Sequence, residues 1–504
     1  MNTGILYAKM GITVFISLYT TRLILNSLGV SDFGIFNIVG GVISMLGFFQ
    51  GALTVATLRY MAYAEGEGDR EKKRKIFNVS IVLHFLLSIL TGVILFICGY
   101  IFLDDVLNIP LERKTAAHII YYFMVVSTVF TIMSVPYDAI LNAHENMLYY
   151  AIIGIIESVL KLITALFVVY TLSDKLITYG LLTTCIALTT LILMRLYCHH
   201  KYEECVFNPK VYLDKKLIKE MSKFSGWNFL GSSSSMITAS GQGIVLNMFF
   251  GTIANAAQGI AGQINGQISV FSATLMKALN PVFSKSEGAG NRALMIEATM
   301  MGSKISLFLF AFMCIPAFIE MPYILKLWLK NVPDYAIIFC RLLLIRSTIE
   351  QLVISVSSSV TAHGNIKRYE IVTSIFYCIP LVVSFFLFRA GFSPYALYVV
   401  YIVYAVIMST TILYFAWNNY GFPVTDFLKR IVFRCVIVMA VVFTLSCIPS
   451  YAIKNDLLRL ASVMTVSTAV FIICAWMIGF NARERMHLKS LVMPILTKII
   501  KFKF

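Results

Sequence analysis

The sequence carries little charge for its length. Only 13% of its 504 residues are Asp, Glu, Lys or Arg, whereas ordinary soluble proteins carry about 25%. Its hydrophobic share is 59% and its mean hydropathy is +0.82. So few charges cannot cover the water-facing surface of a chain this long, which excludes a soluble enzyme, a disordered scaffold and a nucleic-acid-binding domain. The apolar excess must face lipid, so the composition predicts a polytopic membrane protein.

Several chemical motifs are also missing. The ten cysteines are scattered and none forms a CxxC pair, so no disulfide framework is indicated. No GxxxxGK[ST] loop is present, which excludes ATP hydrolysis through a P-loop. His199 and His200 have no spaced Cys or carboxylate set that predicts a metal site, and His84 and His144 stand alone in the sequence. We therefore expect no enzyme activity, no metal site and no resident cofactor.

Long apolar runs fill most of the chain. A spanning helix needs about 20 mostly apolar residues. The sequence offers fourteen candidates, at approximately 4–28, 36–63, 76–102, 115–143, 148–171, 177–198, 223–250, 256–282, 298–320, 336–361, 369–389, 394–416, 431–450 and 459–479. The seventh candidate holds a serine run after Gly231, and the eighth holds Gln258, Gln263 and Gln267, so both are polar for spanning helices. No loop is long enough to form an extramembrane domain.

The net charge of +16 is explained first by topology. With an even number of spans, about 23 Lys and Arg fall in the loops and tail on the side of the termini, and about 8 fall on the opposite side. This ratio predicts that both termini are cytoplasmic and that no nucleic-acid partner is needed. About ten basic residues remain in or at the edges of the helices.

An internal repeat is indicated by four short matches that recur in order at offsets of 222, 223, 219 and 221. They are Glu65-Gly-Glu-Gly-Asp-Arg70 with Glu287-Gly-Ala-Gly-Asn-Arg292, Asn108-Ile-Pro110 with Asn331-Val-Pro333, Ala143-His-Glu-Asn-Met147 with Ala362-His-Gly-Asn-Ile366, and Leu25-Asn26 with Leu246-Asn247. Six helices per repeat give both halves the same orientation, related by an axis along the membrane normal. We therefore expect an all-α polytopic membrane protein of two parallel-related six-helix bundles, 1–222 and 223–428, followed by two C-terminal helices and a tail over 429–504.

Short motifs along most of the chain resemble a family, the Wzx-type polysaccharide flippases of the multidrug/oligosaccharidyl-lipid/polysaccharide (MOP) exporter superfamily. The matching pieces are Thr21-Arg-Leu-Ile-Leu25, Leu28-Gly29, Phe33-Gly-Ile35, Leu58-Arg-Tyr60 with the Glu65-Gly-Glu-Gly-Asp69 loop, Ala143-His-Glu-Asn-Met147, Asn255-Ala-Ala257, Leu327-Trp-Leu329, Val332-Pro333 and Ala362-His-Gly-Asn-Ile-Lys367. The resemblance implies two six-helix lobes around a central cavity and the movement of an undecaprenyl-pyrophosphate-linked oligosaccharide between leaflets of the bacterial inner membrane. Fourteen spans also match the lipid II flippase branch better than the twelve-helix multidrug (MATE) antiporters.

A cavity for such a cargo needs fixed positive charge and hydrogen-bonding groups. A Lys or Arg at the centre of a spanning helix costs about 2.5–3.5 kcal/mol, so it must face water or a partner. The expected substrate-binding residues are Arg22, Arg59, Lys161, Gln263, Gln267, Lys277, Arg341 and Arg346. Lys9 and Arg22 lie about 220° apart around one helix, so both are not expected to face one cavity, and Arg22 is preferred because it lies further from its helix end. Two alternatives stay open: Arg59 snorkels to the interface, and the Gln263, Gln267 and Lys277 stripe only packs helices together.

Three acids at membrane depth, Asp138, Glu157 and Glu350, are candidates for coupling to H⁺ or Na⁺. Glu157 and Lys161 stand four residues apart on one helix face, as do Arg346 and Glu350. Each pair is either a permanent neutralising pair or one that opens for the cargo or a proton.

The sequence therefore predicts a flippase for lipid-linked oligosaccharide that serves surface polysaccharide or O-antigen export. Its expected partners are the polyprenyl-pyrophosphate-linked glycan, the bilayer, a polysaccharide polymerase and glycosyltransferases. Two alternatives remain. A MATE-like drug or cation antiporter should have an acidic, apolar cavity, whereas the helix charges here are mostly basic. A membrane glycosyltransferase or O-antigen polymerase should have a large outer loop, but the loops near 103–114 and 321–335 are short.

Overall fold

The computed structural model describes residues 2–44, 47–101, 111–329, 332–481 and 484–486, and every regular element in these ranges is helical. The elements are α1 (Asn2–Ser44), α2 (Gly47–Glu67), α3 (Arg70–Ile101), α4 (Leu111–Ala143), α5 (Met147–Tyr170), α6 (Lys175–Lys201), α7 (Pro209–Tyr212), α8 (Lys215–Gly288), α9 (Arg292–Ile319), α10 (Met321–Trp328), α11 (Ala336–His363), α12 (Lys367–Arg389), α13 (Tyr395–Tyr420), α14 (Val424–Phe427), α15 (Phe433–Ala452) and α16 (Asp456–Cys474). Short π-helical segments, Leu428–Val432 and Ala475–Gly479, precede α15 and follow α16. The matched motifs at Asn108 and Asn331 and the side chain of Arg22 lie outside the described residues.

Nine helices within the described ranges are long and apolar enough to cross a bilayer. They are Arg70–Gly99, Glu112–Ala143, Met147–Tyr170, Lys175–Lys201, Arg292–Ile319, Lys367–Arg389, Tyr395–Tyr420, Val424–Ala452 and Asp456–Gly479. They correspond to nine of the fourteen predicted spans. The first, second, seventh, eighth and tenth predicted spans are helical too over their described residues, but none of them is a described helix both long and apolar enough to cross a bilayer; the first contains a shorter apolar helix, Gly4–Ser17. The all-helical multi-pass architecture is thus confirmed.

Two glycines break long helices at equivalent places. Gly29 interrupts α1 with φ 78° and Gly251 interrupts α8 with φ 70°, so the helix changes course at a single residue in each case. A positive φ is readily adopted only by glycine. The two breaks are 222 residues apart, the same offset as the Glu65 and Glu287 loops. They fall between the first and second and between the seventh and eighth predicted spans.

The chain divides into two compact units. Unit 1 comprises Met1–Ile237, Lys277–Met295 and Thr361–Ile375. It contains α1 to α7 and the start of α8, together with the end of α8, the start of α9, and the junction of α11 with α12. The core includes Met61, Phe77, Ile140 and Met221, all of which are buried.

One end of unit 1 is fastened by an ion cluster around Arg113 at the start of α4. Arg113 Nε lies 2.8 Å from Asp32 Oδ1, and Nη1 lies 2.6 Å from Asp174 Oδ2. Asp174 is also the N-cap of α6, where its side chain accepts hydrogen bonds from the amides of Leu176 and Ile177. Burial alone would raise the pKa of Asp174, but the hydrogen bonds from Arg113 and the two amides lower it overall. The cluster joins the second segment of α1 to α4 and α6.

Unit 2 comprises Thr238–Met276, Ile296–Val360 and Phe376–Phe504. Its core includes Phe310, Phe339, Leu344 and Tyr398. Lys304 on α9 is 1% exposed, and its Nζ lies 2.8 Å from both carboxylate oxygens of Glu484. This buried ion pair fastens the segment that follows α16 to α9.

Candidate functional site

Two lysines from distant parts of the sequence meet on one tyrosine in unit 1. The Nζ atoms of Lys9 on α1 and Lys277 on α8 lie 4.2 Å and 3.9 Å from the ring centroid of Tyr150 on α5. Lys277 Nζ also donates a hydrogen bond to the hydroxyl of Tyr150. Ammonium groups are attracted to the negative face of an aromatic ring, so Tyr150 can hold both cations close together.

The chain positions these lysines through close packing of small and apolar residues. The side chain of Lys9 runs across Gly154, one helical turn after Tyr150, where a Cβ would overlap the end of the lysine. Leu6 lies nearly one turn before Lys9, and it is buried against Met147 and Ala278. Ala278 directly follows Lys277, so the same small apolar cluster fixes α1, α5 and α8 beneath the two ammonium groups.

Asp138 on α4 completes the group, which we call the two-lysine cluster (Lys9, Lys277, Tyr150 and Asp138). Its carboxylate is within electrostatic range of Lys277 and Lys9, and Oδ1 accepts a hydrogen bond of 3.0 Å from Asn142 Nδ2. Two cations and one carboxylate leave a net positive charge. The cluster combines this charge with a tyrosine hydroxyl, a combination suited to an anion that also offers hydrogen-bond acceptors.

The predicted residues Lys277 and Asp138 are thus brought together, with Lys9 as the second cation. The preference for Arg22 over Lys9 stays a prediction, because the side chain of Arg22 lies outside the described residues. The angle between two residues of one helix shows that they face different ways, but it does not show which of them meets a neighbouring helix. Tyr150, the residue that brings the lysines together, carried no signal because isolated aromatic residues are common in spanning helices.

Arg59 makes a different set of contacts, at the basic side of unit 1. Its Nε and Nη2 donate hydrogen bonds of 2.9 Å and 3.1 Å to the carbonyl oxygens of Ala362 and His363, the last residues of α11. The guanidinium also lies 5.0 Å from the ring centroid of Phe224. Carbonyl groups at a helix C-terminus lack intrahelical partners and carry partial negative charge, so a cation stabilises them. Arg59 therefore ties α2 of the first repeat to α11 of the second.

A pair of glycines allows α2 and α8 to cross at very short range beside Arg59. A Cβ on Gly66 would stand 2.7 Å from the carbonyl carbon of Lys285, and a Cβ on Gly288 would stand 2.8 Å from that of Tyr63. The pairs match across the repeat, because Gly66 and Tyr63 correspond to Gly288 and Lys285 at an offset of 222. Each glycine thus receives the backbone of the other repeat at the equivalent place. We call this contact the glycine crossing.

Ion pairs surround the glycine crossing. His363 Nδ1 lies 2.8 Å from Glu287 Oε1, whose carboxylate also receives a hydrogen bond of 2.6 Å from Arg292. Burial opposes ionisation of Glu287, but the hydrogen bonds from Arg292 and His363 lower its pKa overall. Lys285 Nζ lies 3.2 Å from Glu145 Oε1. The Lys285–Glu145 pair joins residues of the two predicted repeats within unit 1, whereas the contacts of Glu287 lie within the second.

His144 is not isolated, contrary to the expectation from sequence. It bonds to Glu204 through Nε2 and lies 3.4 Å from Glu65 through Nδ1, and it stacks on Tyr202 at 4.3 Å. Potential ligand atoms of Glu65, His144 and Glu204 lie within 4.8 Å of one another. Lys73 Nζ lies 2.7 Å from Glu65 Oε2, so the ammonium group of Lys73 supplies positive charge to these carboxylates, as a metal ion would. The repeat could have revealed this cluster, since Glu65 and His144 correspond to the paired Glu287 and His363.

The other predicted residues occupy separate places. In unit 1, Lys161 Nζ lies 2.6 Å from Glu157 on an exposed face of α5. In unit 2, Arg346 Nε lies 2.8 Å from Glu350 Oε1, and the guanidinium of Arg346 lies 4.8 Å from the ring centroid of Tyr401. Both local ion pairs expected from their four-residue spacing therefore form. Also in unit 2, Arg341 donates hydrogen bonds to the carbonyl oxygens of Phe318 and Ile319. Gln263 and Gln267 are exposed on α8.

Comparison with known proteins bears on this architecture. A family model described as polysaccharide biosynthesis protein matches residues 1–287, which is more than half of the chain. No curated protein sequence matches the chain significantly. Similar solved structures include a MATE transporter in a bent conformation, with TM-score 0.72 and 15% identity over 84% of this chain and 95% of that one.

Two other solved structures resemble the chain to a similar degree. An outward-facing MATE multidrug resistance transporter gives TM-score 0.69 and 15% identity over 85% of this chain and 96% of the other. A MOP superfamily transporter from Pyrococcus furiosus gives TM-score 0.65 and 14% identity over 83% and 95%. At these identities the likeness establishes the fold. The chain therefore belongs to the polysaccharide biosynthesis protein family and has the transporter fold of the MOP exporter superfamily.

Proposed function

We propose that the protein flips an undecaprenyl-pyrophosphate-linked oligosaccharide across the bacterial cytoplasmic membrane by alternating access, for surface polysaccharide or O-antigen export. The observation that carries the proposal is the two-lysine cluster, in which Lys9 and Lys277 share the ring of Tyr150. The match of residues 1–287 to the polysaccharide biosynthesis family supports a glycan as cargo.

The cluster fits the head of such a cargo. Placing a lysine at the centre of a spanning helix costs about 2.5–3.5 kcal/mol of insertion free energy. Two lysines in contact with one tyrosine are therefore best explained by a function that uses their charge. Asp138 neutralises one of them and leaves the other to attract pyrophosphate oxygens. Gln263 and Gln267, which are exposed in unit 2, offer amide groups of the kind that sugar hydroxyls require.

Arg59 and the glycine crossing take a different role in this proposal. They hold α2, α8 and α11 together at the basic side, which we assign to the cytoplasm together with both termini. Cargo that enters from the cytoplasm must separate these contacts, and their re-formation closes that side. Asp138, Glu157 and Glu350 are the proposed carriers of a coupling H⁺ or Na⁺, because a carboxylate that gains a cation changes the charge balance of its neighbours.

The second candidate is a MATE-like antiporter for drugs or cations. Asp138 favours it, since a carboxylate beside an aromatic ring can bind an organic cation. The outward-facing MATE structure is described as that of a multidrug resistance transporter, whereas the Pyrococcus furiosus transporter is described as having a binding pocket of reverse polarity that suggests a different function. The excess of cations over acids at Tyr150 favours the anionic cargo here.

The test is complementation of a bacterial strain that lacks its polysaccharide flippase. Lys9→Gln and Lys277→Gln are tested singly and as a double variant. The control is Lys75→Gln, which removes a lysine that pairs with Glu71 near the start of α3. We expect the single changes to reduce surface glycan by at least tenfold, the double change to abolish it, and the control to export normally at equal protein level. Cells with the double variant should accumulate lipid-linked oligosaccharide on the cytoplasmic side.

The outcomes separate the candidate functions. Full export by the double variant would contradict the cationic cluster as the cargo site. Restored polymer in a strain that lacks its polymerase, with no export in the flippase-deficient strain, would indicate a polymerase, and drug resistance without glycan export would indicate the antiporter. A reporter fused to the C-terminus checks the cytoplasmic assignment of that end independently.

A further inference from the structure

A cationic cavity lies in unit 2, between the start of α15 and the end of α16. It has a volume of about 640 Å³, and it combines three basic side chains with an apolar wall. The basic residues are Lys429, Arg434 and Arg485, and the wall includes Phe433, Ile437 and Met477. None of these residues belongs to the two-lysine cluster or to the contacts of unit 1.

The charge of this cavity is uncompensated within the described part of the chain. No carboxylate lines it, and neither Lys429 nor Arg434 has an acidic partner there. The two acids closest in sequence are occupied elsewhere: Glu484 pairs with Lys304 at 2.8 Å, and Asp426 lies 3.6 Å from Arg430. A group of cations without counter-charge attracts an anion.

Local backbone geometry keeps the cavity open between the two helices. Its basic residues follow or lie within π-helical segments, Leu428–Val432 on one side and Ala475–Gly479 on the other. Such segments are rare and occur frequently at functional sites. Arg485 donates hydrogen bonds of 2.7 Å and 2.9 Å to the carbonyl oxygens of Met477 and Phe480, so it also caps the end of the second segment. Lys429 and Arg434 thus remain the two cations available to a ligand.

The apolar wall indicates that the anion belongs to a lipid. Phe433 is 65% exposed and Met477 is 66% exposed, so both present apolar surface beside the basic groups at the ends of spanning helices. The sequence after α16 adds further lysines, at positions 489, 498, 501 and 503. Basic clusters next to the end of a spanning helix bind anionic lipid head groups. We propose that this cavity binds an anionic phospholipid, whose phosphate contacts Lys429 and Arg434 and whose acyl chains cover Phe433, Ile437 and Met477.

The experiment uses the full-length protein in nanodiscs of phosphatidylcholine with a minor share of phosphatidylglycerol. The lipid retained after transfer to detergent is quantified by native mass spectrometry. We expect preferential retention of phosphatidylglycerol, weakened by raised ionic strength. The Lys429→Gln, Arg434→Gln double variant should lose about thirtyfold in affinity, since each cation near an anionic lipid contributes about fivefold. Arg434→Lys should retain most of the binding, and Arg389→Gln, an exposed arginine at the end of α12, should retain all of it.

The results decide between the lipid and other anions. Equal retention of both lipids by the unaltered protein, or unchanged phosphatidylglycerol retention in the double variant, would overturn the proposal. Thermal stabilisation by inorganic phosphate as large as that by phosphatidylglycerol would also overturn it, because the apolar wall would then be irrelevant. If the double variant fails to fold, Lys429→Gln alone and the salt dependence of the unaltered protein carry the same decision. The result does not depend on which cargo the two-lysine cluster binds.

Discussion

Replacing Gly66 by alanine tests the glycine crossing. The new Cβ would stand 2.7 Å from the carbonyl carbon of Lys285 and 3.0 Å from the amide nitrogen of Ala289, and it would overlap the Lys285 carbonyl oxygen. Ordinary contacts of a Cβ begin at about 3.4 Å. The obstructing atoms are backbone, so no rotamer change relieves the clash and α2 must move away from α8 by roughly 0.7 Å or more.

Overpacking of this kind costs about 1–3 kcal/mol, which is a shift of about five- to 150-fold in the equilibrium between the packed and separated forms. Ser286 next to the crossing is 5% exposed and reports on it. In a background with the native cysteines replaced, Ser286→Cys should react with a membrane-impermeant maleimide at least fivefold faster when Gly66→Ala is added. Gly288→Ala should act in the same direction, because its Cβ would meet the backbone of Tyr63.

The matched control is Gly51→Ala, on the same helix α2 but with no atom within 4 Å of its new Cβ. Both changes add the helix propensity of alanine, worth about 1 kcal/mol, so the difference between them isolates the clash. Labelling of Ser286→Cys at the same rate in the Gly66→Ala and Gly51→Ala proteins would refute the assignment of the glycines to close packing of the two repeats.

Two further predictions concern ion pairs. Arg113→Gln should lower the stability of unit 1 by about 2 kcal/mol, as expected for hydrogen bonds to charged groups, and it should flatten the acid sensitivity of unfolding. The pKa of Asp174 is lowered in the folded protein, so its ionised form stabilises the fold at pH values above its unfolded pKa near 3.8, and this stability is lost as the pH falls through the folded pKa. The melting temperature should therefore fall less steeply between pH 6 and pH 3 in the variant than in the unaltered protein. Equal slopes would contradict this prediction. Lys304→Met should lower the free energy of unfolding by about 3–5 kcal/mol because it leaves the Glu484 carboxylate unpaired. Adding Glu484→Gln to Lys304→Met should recover part of this loss. A double variant that melts no higher than Lys304→Met alone would show that the ion pair is not the cause.

The internal repeat stays a prediction from the sequence, and the matches that indicate it include glycine and polar turn residues, whose backbone requirements do not depend on the rest of the fold. The Glu65 and Glu287 loops aligned at an offset of 222, and the structure shows why both need glycine at the following position. The two helix breaks at Gly29 and Gly251 share the same offset. Backbone requirements of this kind are local, so a single sequence exposes them.

The candidate site depended on contacts that no local pattern specifies. Lys277 was expected from its polar stripe and Asp138 from its depth in a spanning segment. Lys9 was not, because its partner Tyr150 is on another helix and the helical period gives only relative angles. Arg59 was expected as a cavity cation or a snorkelling residue, whereas its hydrogen bonds go to the end of α11. Tertiary packing decided each of these cases.

The single-glycine breaks bear on how the chain enters the bilayer during synthesis. A strongly apolar helix can partition into lipid alone, since each central Leu, Ile, Phe or Val contributes about −0.3 to −0.6 kcal/mol to insertion. The part of α8 after Gly251 carries Gln263 and Gln267 and gains much less. Gly251 leaves no connecting loop that could hold the two parts of α8 apart, so they must be inserted as one unit. We therefore expect the more polar part of α8 after Gly251 to enter the bilayer together with the part before it.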